Sequence, residues 1–392
     1  MIKKILILCN YPFPEGMAAT NRIFAYSKGL NQNGIKTEVL TISSYGIKTT
    51  EKFEQIKNYF DIKCIHPHYY YKDGNKFKRI IFDLNLFKIK TIIYLIKACK
   101  NKDYDSILLS NDDKYFLFLF TIILKLLKFK IGFITDEYPP RIRKLRHKIS
   151  KFDIFFYNIF NKFVSYRIVI SNSLKTYYNV NFGVKPTCIL NTIIDHTRFD
   201  GVANQITTTK SLVYVGNCEL KKDNVDNIIE AFKLLNAEYP DYILEIYGKP
   251  SKRDENYLKS ISIGFENRIL FKGRINYDQV PQVLFNSNIL VTSQPDTVRA
   301  IGGFPTKLGE YLLTGKPSLF TIVGEINNYI IDCENGFLVE PNNPIQYFNK
   351  LKFIIENYEF SLDVAEKGKT YILSNFTSKT ATIELAAFFQ KV

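Results

Sequence analysis

The chain has 392 residues, 46% hydrophobic and 15% aromatic, with 53 Lys and Arg against 38 Asp and Glu and a formal net charge of +15. That length is too great for one ordinary core and predicts two domains of near-equal size, each with enough apolar residues to bury a substantial core. Residues 1–200 carry 33 basic and 16 acidic side chains, a net of +17, whereas the remainder carries 20 and 22, a net of −2. The first half therefore either meets an anionic partner, a membrane surface or a nucleic acid, or presents a solvated basic face. Six cysteines are scattered without a close pair. Their spacing argues against a disulfide framework or a metal knuckle and favours a reduced, cytosolic setting.

In chain order, Lys3 to Asn10 reads as a buried strand rather than a signal peptide, having no long apolar region and no small-residue cleavage site. The loop from Tyr11 to Arg22 opens a helix through Ile23, Tyr26 and Leu30. Gly34 ends it, and Thr37 to Thr41 makes a second strand, so the chain begins with a βαβ unit. The loop lacks the G-x-G-x-x-G spacing of dinucleotide sites. Gly16 allows close backbone approach, and Arg22 either meets an anion or snorkels on the helix surface.

Residues 44–101 are basic and rich in aromatics. His66 and His68 have no third ligand near them and read as satisfied or solvent-facing side chains. Leu84 to Lys100 reads as an amphipathic helix, Tyr104 to Asn111 as a strand, Phe116 to Leu127 as a buried helix, and Lys130 to Asp136 as another strand. The longest apolar run, Tyr115 to Leu124, is well short of the roughly 20 residues that cross a bilayer. Asp136 and Glu137 fall just past a strand's carboxyl end, where parallel α/β sheets hold ligands. Arg141, Arg143, Lys144, Arg146 and Lys148 follow, interleaved with Ile142 and Leu145 and leading into Phe152, Phe155 and Phe156. This is the pattern of a helix lying on an anionic membrane, or of a charged face around an ordinary core stripe. Ile168 to Asn172 and Cys188 to Asn191 are the last strand-like pieces of this half, and residues 201–209 read as a linker.

Ser211 to Gly216 opens a second series. A loop through Lys221 and Lys222 enters a helix, and further strands are expected at Tyr242 to Gly248 and Ile269 to Arg274. The regular alternation predicts a parallel, doubly wound sheet. The stretch Gly302 to Pro317 then reads as a glycine turn and short helix between the strands Ile289 to Val291 and Ser318 to Phe320. Two glycines admit a ligand close to the backbone, and free N–H groups at the helix start favour a phosphate. Lys307 adds positive charge, and Glu310, three residues on, shares its face. Such a pair either serves one ligand bearing phosphate and sugar hydroxyls or is an exposed Lys/Glu pair on a surface turn.

Several motifs resemble, in order and spacing, the retaining glycosyltransferases of family four. They are Val215-Gly216 with Lys222, Glu245 to Pro250, Phe271 to Arg274, Gly303 to Pro317 and Asn335 to Pro341, with Pro14-Glu15-Gly16, Ser171 to Leu174, and Asn191 to Asp195 with Phe199 in the first half. The resemblance implies the GT-B fold: two Rossmann-like, doubly wound parallel-sheet domains facing each other across a cleft. The expected division is an acceptor-side domain over 1–200, a linker over 201–210, a nucleotide-sugar donor domain over 211–375, and a C-terminal helix over 376–392 crossing back to the first.

It further implies that Glu310 binds the ribose hydroxyls and that amides around Gly303, Phe304 and Thr306 hold the donor sugar and diphosphate. Lys222 neutralises the diphosphate, Arg274-Ile275 lies beside the base, Gly216 belongs to the donor site, and Gly16 reaches the donor from the other domain. Arg22, Asp136 and Glu137 become acceptor-side or anion-binding candidates. No cofactor or obligatory metal is expected beyond the nucleotide-sugar co-substrate. Two positions depart from the family pattern: Gly302 stands where the first glutamate of an E-x7-E pair is usual, and Asn217 where an arginine is usual.

The leading expectation is a cytoplasmic transferase, peripheral on the inner membrane face, acting on a lipid-linked or surface-polysaccharide acceptor. A nucleotide-sugar epimerase or hydrolase on the same fold and an inactive scaffold of a polysaccharide-assembly complex are the alternatives, and nucleic acid is the least favoured partner.

Overall fold

An unbroken apolar run suits a strand buried on both faces of a parallel sheet. In the computed structural model Ile5 to Cys9 of strand β1 (Lys4–Cys9) are fully buried at the middle of the first sheet. The structure describes residues 2–13, 18–42, 56–59, 61–66, 76–111, 113–139, 151–202, 210–304 and 307–392. The linker residues 203–209 lie outside these, as do Gly16, His68, Thr306 and the basic positions Arg141, Arg143, Lys144, Arg146 and Lys148.

The chain divides into two compact units, residues 1–193 with 378–392, and residues 194–377. In the first, β1 is followed by α1 (Ala18–Gln32), β2 (Lys36–Thr41), β3 (Ile56–Tyr59), β4 (Ile62–Ile65), α2 (Lys76–Asn101), β5 (Ser106–Ser110), α3 (Lys114–Leu126) and β6 (Lys130–Thr135). Then come α4 (Lys151–Phe163), β7 (Tyr166–Val169), α5 (Asn172–Phe182) and β8 (Thr187–Ile189). The strand order is β3-β4-β2-β1-β5-β6-β7-β8, parallel except for the antiparallel β3/β4 hairpin at one edge. That hairpin is absent from the sequence expectation. Its strands have four residues each, and β3 is only partly covered, so neither carries a readable alternation. His66, just after β4, is buried with its Nε2 3.1 Å from Cys64 Sγ, and burial, helped by Lys57, pushes its pKa down to about 4.

The second unit runs β9 (Ser211–Val215), α6 (Leu220–Asp223), α7 (Val225–Glu238), β10 (Ile243–Tyr247), α8 (Lys252–Ile261), β11 (Ile269–Gly273), α9 (Val280–Phe285) and β12 (Ile289–Val291). It continues through α10 (Val298–Gly302), α11 (Lys307–Leu313), β13 (Ser318–Thr321), β14 (Phe337–Val339), α12 (Pro344–Glu356) and α13 (Tyr358–Asn375). Its strands are parallel in the order β11-β10-β9-β12-β13-β14, the doubly wound arrangement that the alternation predicts. Ile228, Ile229, Phe232 and Leu235 of α7 recur at helical spacing and pack into the core with Leu212, Leu244 and Val291.

The units divide at 193/194 rather than after residue 200, because Ile194 already belongs to the second. Its N–H donates to the Phe376 carbonyl at 2.8 Å, and it forms a parallel bridge with Thr377. Beyond that point α14 (Ser378–Ala381) and α15 (Ile383–Lys391) belong to the first unit. Leu385, Ala386 and Phe389 enter its core, and the Ile2 N–H donates to the Phe389 carbonyl.

Gly29 of α1 makes this return possible: a Cβ there would lie 1.8 Å from the Ser378 carbonyl oxygen. Glycine-to-alanine in a helix interior ordinarily gains about 1 kcal/mol. Gly29→Ala is expected instead to cost about 1–3 kcal/mol by overpacking, read from urea unfolding. A stabilised variant would show that the terminal helices are not seated there.

Candidate functional site

Leaving β9, the chain builds β10 and β11 on one side of the second sheet, whereas β12, β13 and β14 lie on the other. The boundary between β9 and β12 is a topological switch point, and the loops that follow both strands share the carboxyl edge where such sheets hold ligands. Residues 216–224 follow β9; α10 and α11 follow β12.

These two connections are fastened together by charge. Lys307, at the start of α11, places Nζ 2.6 Å from Asp223 Oδ1 and 2.8 Å from Tyr214 Oη, and 4.3 Å from the Tyr214 ring centroid. Asp223 is buried and its other oxygen accepts from the Glu219 N–H. Burial alone would raise the Asp223 carboxyl; Lys307, Lys222 and the Tyr214 hydroxyl outweigh it and hold the carboxyl below its ordinary 3.8. Burial drives the Tyr214 phenol well above its usual range, with Asp223 adding to the effect. Gly216 leaves the space for this crossing, since a Cβ there would stand 2.3 Å from Lys307 Nζ.

Along the same helix Glu310 turns to a different partner. Its Oε1 accepts from Arg198 at 2.6 Å, and Arg198 also donates to the Tyr277 carbonyl at 2.5 Å, with its guanidinium 3.2 Å from the Tyr277 ring centroid. The neighbouring Tyr311 hydroxyl accepts from the Val215 N–H at 2.9 Å, which ties α11 to the end of β9. On the helix's other side a Cβ at Gly309 would meet Ile194 Cδ1 at 2.0 Å, so α11 lies directly on the residue where the chain enters this unit.

The remaining expected residues are distributed more loosely. Gly302 ends α10, a short helix capped by the Thr297 side chain in a place where the sequence reading has only a turn, and Gly303 closes it. Phe304 is buried and stacks edge-on against Tyr329 at 5.1 Å, so its ring is a packing element. Lys222 is half-buried beside Asp223, Asn217 is exposed, and Arg274 is exposed just after β11 with Ile275 partly covered. Arg299 Nη1 meets Glu219 Oε1 at 3.0 Å.

In the first unit Arg22 and Asp136 are brought together at 2.7 Å, and Arg22 also donates to the Asn191 carbonyl. Burial alone would weaken the guanidinium charge, but Asp136 more than compensates and raises its pKa. The arginine is thus neither snorkelling nor exposed to an external anion: its charge is already met inside the unit. Glu137 is partly covered, with its carbonyl accepting from the Thr135 hydroxyl. At this sheet's own switch point, between β1 and β5, Asn111 is buried and its Nδ2 donates no hydrogen bond among the described residues. Among the described residues there is no cluster of His, Cys, Asp and Glu arranged for a metal ion.

Arg198, Asp223 and Tyr277 are absent from the sequence-based site. Arg198 and Asp223 adjoin residues named there, Phe199 and Lys222, yet their partners lie 112 and 84 residues away, a pairing that only the sheet order creates.

Two doubly wound sheets in this order define the GT-B class of transferase fold. The fold is similar over 99% of this chain and 98% of the other to sucrose-phosphate synthase from Thermosynechococcus elongatus, with a TM-score of 0.71 at 14% identity. It is also similar, over all of both chains, to Anabaena HepE in complex with UDP and glucose, with a TM-score of 0.69 at 16% identity. Residues 197–371 match the family described as glycosyl transferases group 1. Among its relatives are uncharacterized glycosyltransferases of Methanocaldococcus jannaschii and Haemophilus influenzae. The first is 25% identical over 46% of this chain and 45% of its own, the second 27% identical over 41% and 43%. The chain spans less than half the length of these two relatives.

The buried pair has a pH signature. With its folded pKa depressed, Asp223 contributes stability that is present above its ordinary range and lost as pH falls through the lower folded value. Lys307→Met removes the largest influence opposing burial and raises that pKa, so the folded variant takes up a proton more readily than the folded wild type. Its cost, about 3 kcal/mol near neutral pH, is expected to shrink toward about pH 4. Urea unfolding at the two pH values checks this, and equal costs would dismiss the coupling.

Proposed function

We propose that this protein is a retaining glycosyltransferase that takes a sugar from a nucleoside diphosphate sugar and passes it to a lipid-linked or surface-polysaccharide acceptor. The observation that carries the reading is the place of Glu310: a partly exposed carboxylate on α11, at the switch-point edge of a sheet whose segment 197–371 matches glycosyl transferases group 1. A carboxylate there suits the vicinal hydroxyls of a ribose. The solved structure of HepE with UDP and glucose supports a nucleotide-sugar donor.

In this reading Lys222 meets the diphosphate. Lys307 is already neutralised by Asp223 and contributes position rather than free charge. The amides around Gly303, Phe304 and Thr306 hold the sugar and phosphates, and Arg274-Ile275 flanks the base. Negative charge that develops on the departing diphosphate is stabilised by fixed donors and lysine, without an obligatory metal. Gly302 supplies no carboxylate near the sugar, so donor selection falls to other groups.

The basic first half, with Arg141, Arg143, Lys144, Arg146 and Lys148, would hold the enzyme on the anionic inner face of a membrane from the cytoplasm. Among the described residues no helix is long and apolar enough to cross a membrane.

A thermal-shift panel of uridine, guanosine, adenosine and cytidine diphosphates and their sugars tests the donor reading, with at least one expected to stabilise the protein. No shift from any would favour a scaffold, and interconversion of sugars without acceptor would favour an epimerase. Glu310→Ala is expected to weaken the stabilising nucleotide by about tenfold or more. Reversing the five charges between residues 141 and 148 is expected to release the protein from anionic vesicles at low salt, measured by co-sedimentation; retention would sink the docking idea.

A further inference from the structure

We infer that Arg198 is a positioning residue for the ribose-binding carboxylate, holding Glu310 by one oxygen and leaving the other for the sugar diol. The inference rests on the donor reading of Glu310 given above.

Glu310 Oε1 accepts from Arg198 Nη1 at 2.6 Å, and no other hydrogen bond to this carboxylate is formed among the described residues. Arg198 is itself held in three ways. Nη2 donates to the Tyr277 carbonyl at 2.5 Å, and the guanidinium lies face-on over the Tyr277 ring at 3.2 Å. Its turn, His196–Phe199, is anchored by buried Phe199, whose ring meets Phe285 at 6.1 Å. Arg198 keeps only 14% of its side-chain exposure and Glu310 28%.

The chemistry follows from the two oxygens. An ionised carboxylate is acceptor-only and can take both hydroxyls of a ribose, but an unrestrained glutamate must lose its rotamer freedom to do so. A guanidinium bond to Oε1 is charge-assisted and directional, so it fixes the carboxylate plane before the ligand arrives. Oε2 is then presented in one orientation to the 2′- and 3′-hydroxyls. Stacking on Tyr277 prevents Arg198 from following its partner into solvent. The arrangement makes Arg198 a determinant of ribose recognition that needs no contact with the nucleotide.

Calorimetric titration of the full chain with uridine, guanosine, adenosine and cytidine diphosphates, each beside its 2′-deoxy counterpart, tests this. Wild type is expected to prefer the ribonucleotide of its own base by about tenfold, and Glu310→Gln to abolish that preference. Arg198→Gln is expected to bring the ratio close to one while changing deoxynucleotide affinity by less than about twofold, with Arg198→Lys intermediate. If wild type binds no nucleotide, the donor reading falls and this inference with it. If Glu310→Gln loses the preference while Arg198→Gln keeps it, the donor reading stands and the positioning role is overturned. Equal loss of both affinities in Arg198→Gln would mark a merely structural arginine and also overturn it. Should Arg198→Gln not fold, Tyr277→Ala, which removes only the stack, decides the same ratio: a lowered ratio supports the role and a wild-type ratio overturns it.

Discussion

The second unit depends on an ion pair that joins its two halves at the switch point. Lys307 and Asp223 come from opposite sides of the sheet's topology, and each is covered enough that the other is its main counter-charge. A buried pair of this kind adds little net stability over an apolar isostere, yet breaking it on one side is costly, so its effect is to fix one arrangement of the loops. Tyr214 and Gly216 exist around it: one gives the ammonium a hydroxyl and a ring face, the other the space to pass. Since both connections carry the residues proposed to meet a nucleotide, the pair sets the spacing of the site without contributing free charge to it.

The same helix carries a second, more exposed pair with a different consequence. Glu310 and Lys307 are three residues apart on α11 and each has its own partner, Arg198 and Asp223, so the two do not neutralise each other. Helix α11 is further seated on Ile194 through Gly309 and on the end of β9 through Tyr311. Ile194 begins the unit, and its backbone is tied to Phe376 and Thr377 at the unit's end. A seven-residue helix has little stability of its own. Its position is set by these four attachments to distant parts of the chain.

Much of this was legible in residues taken one stretch at a time. The βα alternation predicted the second sheet, the resemblance implied the first, and Gly302 to Pro317 was readable as a glycine turn into a short helix, a candidate for ligand binding because glycine, lysine and glutamate each have a defined backbone or charge role. What escaped was of two kinds. The strands of the β3/β4 hairpin, four residues each, are too short for a period-two pattern to be read. The partners of the site residues, Asp223 for Lys307, Arg198 for Glu310 and Asp136 for Arg22, are separated from them by 84 to 114 positions. Local pattern has no term for such pairs. Lys307 was accordingly read as a free cation and Arg22 as either a surface side chain or an anion site, whereas each is spent on a carboxylate of its own unit.

Sequence by itself determined the βα alternation of the second unit, where the glycine turn of Gly302 to Pro317 falls and which residue types are available there, because hydrophobic period, turn chemistry and charge are local properties. Only the tertiary structure decided which of those charges remain available to a ligand. Strand order at the switch point places residues remote in sequence within hydrogen-bond reach. A lysine that has met a buried aspartate holds the Gly302 to Pro317 turn in place, while the glutamate three residues later keeps one oxygen to offer.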